Sequence, residues 1–232
     1  MMKKIKPLLI FILLLLGMSY FPYIPMKIFN LDYENFTQSM KIIYMVVCDI
    51  GFMIIMYMLY RDTLKDNFKK YFKNFGESFE KSFKYYFIGL IGMIVTNYLI
   101  YFFFKGASAN NEETIREMIK LYPAYMVFSV SIYAPFVEEL IFRKSIKDMI
   151  LVCGDNKINK YIYIITSGLI FSSLHVLGMV TSNLDYLYII PYLSLGLAFS
   201  SLYYKTDNIF SSISMHMLHN TATVILYFVI GV

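Results

Sequence analysis

The chain has 232 residues and a net charge of +5; 58% of its residues are hydrophobic, only 16% are charged, and its mean hydropathy is +0.57. This composition excludes an ordinary soluble domain, and apolar runs of about 20 residues, long enough to cross ~30 Å of hydrocarbon, recur along the chain. We therefore predict that residues 1–232 form a single integral membrane domain, which lies in a lipid bilayer. We expect no nucleic-acid partner, because the lysines sit in short loops beside the apolar runs rather than on one continuous face.

The first predicted span has a basic start. Lys3, Lys4 and Lys6 precede an apolar run from Pro7 to Ile24, a pattern that resembles a secretory signal peptide. No small-residue cleavage site follows the run, so we interpret it as a retained membrane helix. Together with six later apolar segments it predicts an all-α polytopic membrane protein of about seven transmembrane helices. The later spans are expected at about residues 39–60, 85–104, 122–142, 161–180, 186–204 and 208–231.

The segments on either side of span three are polar. Residues 61–84 combine lysines with regularly spaced phenylalanines, which predicts an amphipathic helix on the membrane surface or, alternatively, a plain solvated linker. Residues 105–120 are expected to form a loop. In span two, Asp49 is either a buried hydrogen-bonding group or part of a proton relay.

The distribution of lysine and arginine predicts the orientation of the bundle. With the N-terminus in the cytoplasm, most of the 21 basic residues lie in cytoplasmic segments, which is the usual bias of membrane proteins. We therefore expect a multi-pass protein of the cell membrane with a cytoplasmic N-terminus.

Span four ends in two adjacent carboxylates. A charge at the centre of a membrane helix costs roughly 2.5–3.5 kcal/mol on insertion scales, so Glu138 and Glu139 mark a candidate functional site. Glu139 and Arg143 are four residues apart on one helix face and can form an ion pair, whereas Glu138 lies about 100° round the helix and stays free of that pair. Pro135, just before them, removes a backbone hydrogen bond and is expected to kink the helix.

All three histidines fall in later spans. His175 lies in span five, and His216 and His219 lie in span seven, where His216 shares a helix face with Asn220. Taken singly, each histidine could be an interhelical hydrogen-bonding group. Together with an unpaired glutamate they are costly unless they meet in one polar cavity. Such a set suits hydrolysis, with a carboxylate as general base on water and imidazole and amide groups around an oxyanion.

Three short motifs in separate spans support a family resemblance. They read Glu138-Glu139-x-x-x-Arg143, Phe171-x-x-x-His175 and His216-x-x-x-Asn220, in this order, within a motif-bearing core of about residues 120–232. This set resembles the CPBP family (CAAX protease and bacteriocin-processing, also called Abi), which includes the CAAX prenyl endopeptidases.

The resemblance implies a fold and a chemistry. The fold would be a CAAX-prenyl-endopeptidase-like helical bundle, and the activity that of a glutamate-dependent intramembrane endopeptidase. The residues would share three roles: activation of water by Glu138 and His175, stabilisation of the oxyanion by His216 and Asn220, and a structural or orienting role for Glu139 and Arg143. The resemblance implies no role for His219.

Metal dependence stays open at this point. Glu138, His175 and His216 could make a three-ligand zinc site with an open position, and the same residues also serve a metal-free, glutamate-activated water. The zinc-protease signature His-Glu-x-x-His is absent from the sequence. No cofactor is firmly implied, and zinc is kept as an alternative.

The resemblance implies a class of substrate but no individual one. We expect a membrane-associated peptide or protein, such as a leader, a signal-peptide precursor or a bacteriocin or pheromone precursor. One alternative is a non-catalytic membrane interaction or immunity protein. Another is a transporter that uses Asp49, Glu138 and the histidines as a proton path, although the two repeated halves typical of many transporters are not visible.

The depth of the motifs in the bilayer adds one further prediction. His175 lies about 14 residues, or ~21 Å, from the expected cytoplasmic edge of span five, whereas Glu138 lies only some five residues before Arg143. The two can meet if span four continues through Ile146 and Ile150. We therefore predict a long fourth helix and a water-filled cavity that opens to the cytoplasmic side.

Overall fold

The computed structural model describes residues 2–104 and 109–230, with side chains from Ile5 onward. The side chains of Lys3 and Lys4, which belong to the predicted basic start, and residues 105–108 of the predicted loop lie outside this description. Within the described ranges every regular element is helical, so the predicted all-α class is confirmed. The helices are α1 (Met2–Tyr20), α2 (Tyr23–Ile28), α3 (Gln38–Leu59), α4 (Arg61–Lys73), α5 (Phe75–Phe104), α6 (Asn110–Leu121), α7 (Pro123–Leu151), α8 (Lys157–Val176), α9 (Ile189–Thr206) and α10 (Ile209–Ile230). Short 3-10 turns lie at Tyr33–Asn35, Leu177–Met179 and Asn183–Tyr188.

Six of these helices are long and apolar enough to cross a membrane, which confirms the predicted polytopic membrane protein. They are α3, α5, α7, α8, α9 and α10, where α8 and α9 are each counted together with the 3-10 turn that adjoins them. The predicted first span corresponds to α1, whose apolar part, Ile5–Tyr20, is shorter than the other six. Phe11 and Leu14 of α1 are buried in the same core cluster as Leu140 and Ile141 of α7.

The prediction of one surface helix over residues 61–84 is wrong. α4 ends at Lys73, and a new helix begins at Phe75 and continues into span three, so that α5 has 30 residues and begins well before the predicted residue 85. The phenylalanine spacing in this segment therefore spans two helices. Phe72 and Phe75 stack across the break between them, with ring centroids 5.8 Å apart.

The prediction of a loop over residues 105–120 is also wrong where the chain is described. Residues from Asn110 onward form α6, an amphipathic helix whose Ile119 is buried against Met126 and Val224. Acidic residues occupy the first turn of α6, where carboxylates favour a helix N-terminus. The polar composition of this segment favoured a loop, but the segment forms a helix that packs one narrow apolar face onto the bundle.

α7 extends through the middle of the bundle. It runs for 29 residues, past Arg143 to Leu151, and the predicted long fourth helix is confirmed. Two π turns interrupt it, one at Ser129–Tyr133 and one at Glu139–Ser145. The first comes just before Pro135, whose nitrogen has no hydrogen to donate, and the wider turn accommodates the missing backbone bond.

α8 and α9 cross at a backbone-to-backbone contact. A Cβ atom on Gly196 would lie 3.0 Å from both the Cα and the carbonyl oxygen of Gly168, so this approach requires glycine. Close by, Ser200 Oγ donates to Ser167 Oγ at 2.7 Å, and Ser167 Oγ donates to the Phe142 carbonyl at 2.7 Å. These contacts tie α9 through α8 to α7 and set the distance between α8 and the Glu-Glu segment.

The short helix α4 anchors the start of α10. Asn67 Oδ1 accepts a hydrogen bond from the Ile209 backbone nitrogen at 2.7 Å, and Asn208 Nδ2 donates to the Asn67 carbonyl at 2.9 Å. One turn further on, the hydroxyls of Tyr71 and Ser214 are 2.8 Å apart. Because α10 begins at this anchor, the contacts determine which of its side chains face the bundle interior.

Candidate active site

The Glu139–Arg143 pair lies wholly inside the bundle. Both side chains have 0% of their surface exposed, and Arg143 Nε lies 3.2 Å from Glu139 Oε2. The guanidinium also lies over two aromatic rings, with its Cζ atom 4.4 Å from the Phe171 ring centroid and 5.7 Å from that of Phe199. A buried arginine is costly unless its charge is compensated, and a carboxylate and two ring faces compensate it here. The ion pair predicted from the four-residue spacing is present.

His216 of α10 shares the Glu139 carboxylate with Arg143. Its Nδ1 atom lies 2.9 Å from Glu139 Oε1, and the residue is 4% exposed. Because an ionised carboxylate only accepts, Nδ1 carries the hydrogen and donates it. Glu139 thereby fixes the orientation of the imidazole and turns Nε2 towards Glu138.

His175 of α8 is oriented by its own helix. Its Nδ1 atom lies 2.8 Å from the carbonyl oxygen of Phe171, which can only accept, so Nδ1 carries the hydrogen here as well. The Phe171 ring lies 4.3 Å and the Tyr192 ring 4.9 Å from the imidazole, measured between ring centroids. The neutral ring therefore presents the lone pair of Nε2, and this atom too faces Glu138.

Glu138 is the carboxylate on which the two histidines converge. Its Oε2 atom lies 3.8 Å from Nε2 of His175 and 3.8 Å from Nε2 of His216. Among the described residues, this buried oxygen accepts no hydrogen bond. The distances are too long for direct hydrogen bonds, yet a water molecule fits between Glu138 and either histidine at about 2.8 Å from both atoms.

Asn220 lies one helical turn beyond His216 on α10. Its Nδ2 atom donates to the Val130 carbonyl at 2.9 Å, and Val130 belongs to the first π turn of α7. This bond fixes the side chain and uses one of its two amide hydrogens. The other hydrogen is available to a further acceptor.

Glu138, His175, His216 and Asn220 line one cavity of about 210 Å³. The cavity runs from Glu138 towards α6 and the C-terminal half of α10, the end of the bundle opposite the lysine-rich segments. The predicted opening on the same side as those lysines is therefore wrong. Fully buried side chains close that end, among them Phe142, Arg143 and Ile213.

α6 provides a polar wall of this cavity that no sequence motif marks. Glu112 and Arg116 line it, and Arg116 Nη2 lies 4.0 Å from Glu112 Oε2. Burial raises the pKa of Glu112, although the positive charge of Arg116 opposes this rise. Asn111 Nδ2 donates to the Tyr192 hydroxyl at 3.1 Å, which links α6 to the ring beside His175.

The two ionisable residues that had no assigned role occupy different places. Asp49 is not among the described residues of the cavity wall. It is buried and accepts a hydrogen bond from the Tyr125 hydroxyl at 3.0 Å. This bond favours the interpretation of Asp49 as a buried hydrogen-bonding group over that of a proton relay. His219 does line the cavity. Its spacing of three residues from His216 could have indicated a shared helix face.

The three side chains predicted as an alternative zinc set do not form a metal site as they lie. Zinc binds nitrogen and oxygen at about 2.0–2.2 Å, so that ligand atoms of a tetrahedral site are about 3.3 Å apart. The two Nε2 atoms each lie 3.8 Å from Glu138 Oε2, and the described part of the chain contains no group of three His, Cys, Asp or Glu that could hold a metal ion.

Comparison with known proteins identifies the segment that contains this site. Residues 120–222 match the family model of the Rce1-like type II CAAX prenyl endopeptidases. This match supports the resemblance of residues 120–222 to the CPBP family. The matched segment begins at the end of α6 and ends within α10, and it contains all seven motif residues from Glu138 to Asn220.

Two bacterial proteins are similar to the chain beyond this match. "Putative membrane peptidase YdiL" of Bacillus subtilis (strain 168) is 29% identical over 142 residues, which make up 61% of this chain and 53% of that protein. "UPF0177 protein YvdC" of Lactococcus lactis subsp. lactis (strain IL1403) is 27% identical over 116 residues, 50% of this chain and 40% of that protein. The chain thus spans about half the length of these curated relatives, or less. No solved structure matches it.

Proposed function

We propose that the protein is an intramembrane endopeptidase that hydrolyses a peptide bond in a membrane-associated peptide or protein. The observation on which the proposal rests is the convergence of His175 and His216 on Glu138 in a cavity that Asn220 also lines. The Rce1-like match and the peptidase name of one relative support the same class of activity.

Glu138 acts as the general base. A water between Glu138 Oε2 and His175 Nε2 donates one hydrogen to each, since both atoms are acceptors while His175 Nδ1 is bonded to the Phe171 carbonyl. The water oxygen attacks the carbon of the scissile carbonyl, and Glu138 takes the proton. When the carbon–nitrogen bond breaks, Glu138 returns that proton to the leaving nitrogen, and the products are a carboxylic acid and a free amine.

His216 and Asn220 stabilise the tetrahedral oxyanion. Asn220 supplies the amide hydrogen that Val130 does not use. His216 supplies Nε2–H when both of its ring nitrogens carry hydrogen, while the Glu139 carboxylate accepts the hydrogen on Nδ1. Arg143 holds Glu139 in place and balances its charge.

The cavity wall supports an apolar substrate segment. Met93, Leu195, Phe199 and Val224 line the cavity together with Glu138. Apolar side chains beside the scissile bond are complementary to such a wall. Leaders, signal-peptide precursors and bacteriocin or pheromone precursors have segments of this kind.

A hydrolysis experiment tests the proposal directly. Purified protein in detergent is incubated in ¹⁸O-labelled water with a library of internally quenched apolar peptides, and the products are identified by mass spectrometry. We expect cleavage with ¹⁸O in the new C-terminal carboxylate. Product formation no greater than with Glu138→Gln protein would contradict the proposal.

Replacing Asn220 by alanine is expected to lower kcat by roughly 10²–10³-fold, the usual cost of losing one oxyanion donor. The measurement is steady-state cleavage of the best peptide of the library. Thr221→Ala, at the next position of the same helix and outside the described cavity wall, serves as the matched control and should keep its rate. A near-normal kcat for Asn220→Ala would remove the oxyanion assignment.

Chelation of divalent metals is expected to leave the cleavage rate within about twofold of its starting value. The reason is that the proposed mechanism activates water through Glu138, and the ligand atoms are spaced more widely than zinc requires. The rate is measured before and after dialysis against 1,10-phenanthroline. Loss of activity that added Zn²⁺ restores would instead favour the zinc alternative.

A further inference from the structure

His219 is a third imidazole in the cavity, and the mechanism proposed above leaves it without a task. It follows His216 by three residues on α10 and lines the same cavity as Glu138 and Asn220. A polar ring is costly at this depth unless it has partners, and its presence in the wall of a substrate-sized cavity calls for an explanation.

Tyr86 of α5 determines which nitrogen of His219 carries the hydrogen. Its hydroxyl lies 3.4 Å from His219 Nδ1, and the two rings meet edge to face with centroids 5.9 Å apart. Tyr86 is 5% exposed, and a buried hydroxyl needs an acceptor for its hydrogen. His219 Nδ1 is the acceptor that the described structure offers it. If Nδ1 accepts, the neutral ring carries its own hydrogen on Nε2, at the edge turned away from Tyr86.

Polar groups on α10 form a continuous stripe along the cavity. His216, His219, Asn220 and Thr223 line it at successive helical spacings, followed by Tyr227. A protease holds its substrate in an extended form, and the backbone N–H and C=O groups of an extended peptide at membrane depth must be satisfied by protein groups. Side chains of this stripe are placed to satisfy them, and the two oxyanion donors, His216 and Asn220, make up only part of it.

We infer that His219 is a substrate-binding residue whose Nε2–H donates to a backbone carbonyl of the bound peptide next to the scissile bond. Tyr86 is a positioning residue that keeps the donating hydrogen on Nε2. This inference rests on the proposed function and deepens it, because it identifies the peptide backbone, rather than a particular side chain, as the group that α10 recognises.

The test compares three variants on the best-cleaved peptide of the library. His219→Leu removes the donor and should raise KM about tenfold while kcat stays within about twofold, because a neutral hydrogen bond contributes about one factor of ten to binding. His219→Gln keeps an N–H donor at a similar reach and should restore most of the KM. Tyr86→Phe frees the tautomer and should raise KM by about threefold.

Binding to an inactive protein separates this inference from the proposed function. A fluorescein-labelled apolar 20-residue peptide is titrated onto Glu138→Gln protein and onto Glu138→Gln/His219→Leu protein, and the anisotropy is recorded. Weaker binding by the double variant is expected whether or not the wild type cleaves any peptide. Equal binding, a kcat loss at constant KM, or a Gln variant as impaired as the Leu variant would overturn the inference. Thermal unfolding of each variant identifies any change that comes from misfolding, and in that case the Tyr86→Phe and His219→Gln results decide.

Discussion

Replacing Glu138 by glutamine is expected to lower kcat by about 10⁴-fold. Glutamine has nearly the same size and shape, but its amide cannot take a proton from water or return it to the leaving amine. His175 and His216 keep their own hydrogen-bond partners in this variant, so the fold should be preserved. Single-turnover cleavage of the best peptide, followed by mass spectrometry, measures the effect.

Glu117→Gln provides the matched control, because it makes the same chemical change on the exposed face of α6. We expect its rate to stay within about twofold of the wild type. A Glu138→Gln protein as active as this control would remove the general-base role. A cellular phenotype that survives Glu138→Gln would favour the interaction or immunity alternative.

Replacing Arg143 by methionine is expected to destabilise the protein by about 3–5 kcal/mol. The substitution leaves the Glu139 carboxylate buried without the arginine charge, and breaking a buried ion pair on one side carries a penalty of this size. His216, which donates to the same carboxylate, should lose its orientation, and cleavage should fall as well. Unfolding in mixed micelles, followed by circular dichroism, gives the free-energy change.

Two further variants give this prediction its controls. Lys144→Met breaks the neighbouring, partly exposed pair with Asp148 and should cost no more than about 1 kcal/mol. Glu139→Gln/Arg143→Met leaves no uncompensated charge and should recover most of the lost stability. An Arg143→Met protein as stable as Lys144→Met would show that the buried pair contributes little.

Much of the fold could be predicted because hydropathy depends on local sequence. The second span was expected at residues 39–60 and is found at Gln38–Leu59. Likewise, the four-residue spacing of Glu139 and Arg143 sufficed to predict their pair, because a helix brings such residues together whatever surrounds them.

The features that could not be predicted depend on tertiary packing. Pro135 signals a break in hydrogen bonding, but not the π turns that flank it. The side on which the cavity opens depends on which end of the bundle is filled by buried side chains such as Phe142. The number of lysines in each loop does not predict this packing. The partnership of Tyr86 and His219 joins residues 133 positions apart, so no local motif could reveal it.

The glycine contact between α8 and α9 determines which substitutions this part of the protein tolerates. The separation of the two helices is fixed by main-chain atoms, which cannot adjust by changing rotamer as aliphatic side chains do. Neighbouring leucines and isoleucines can therefore exchange with modest losses. A single added methyl group at Gly168 or Gly196 would push α8 outward and move His175 away from Glu138. The distance between these two side chains therefore depends on two glycines.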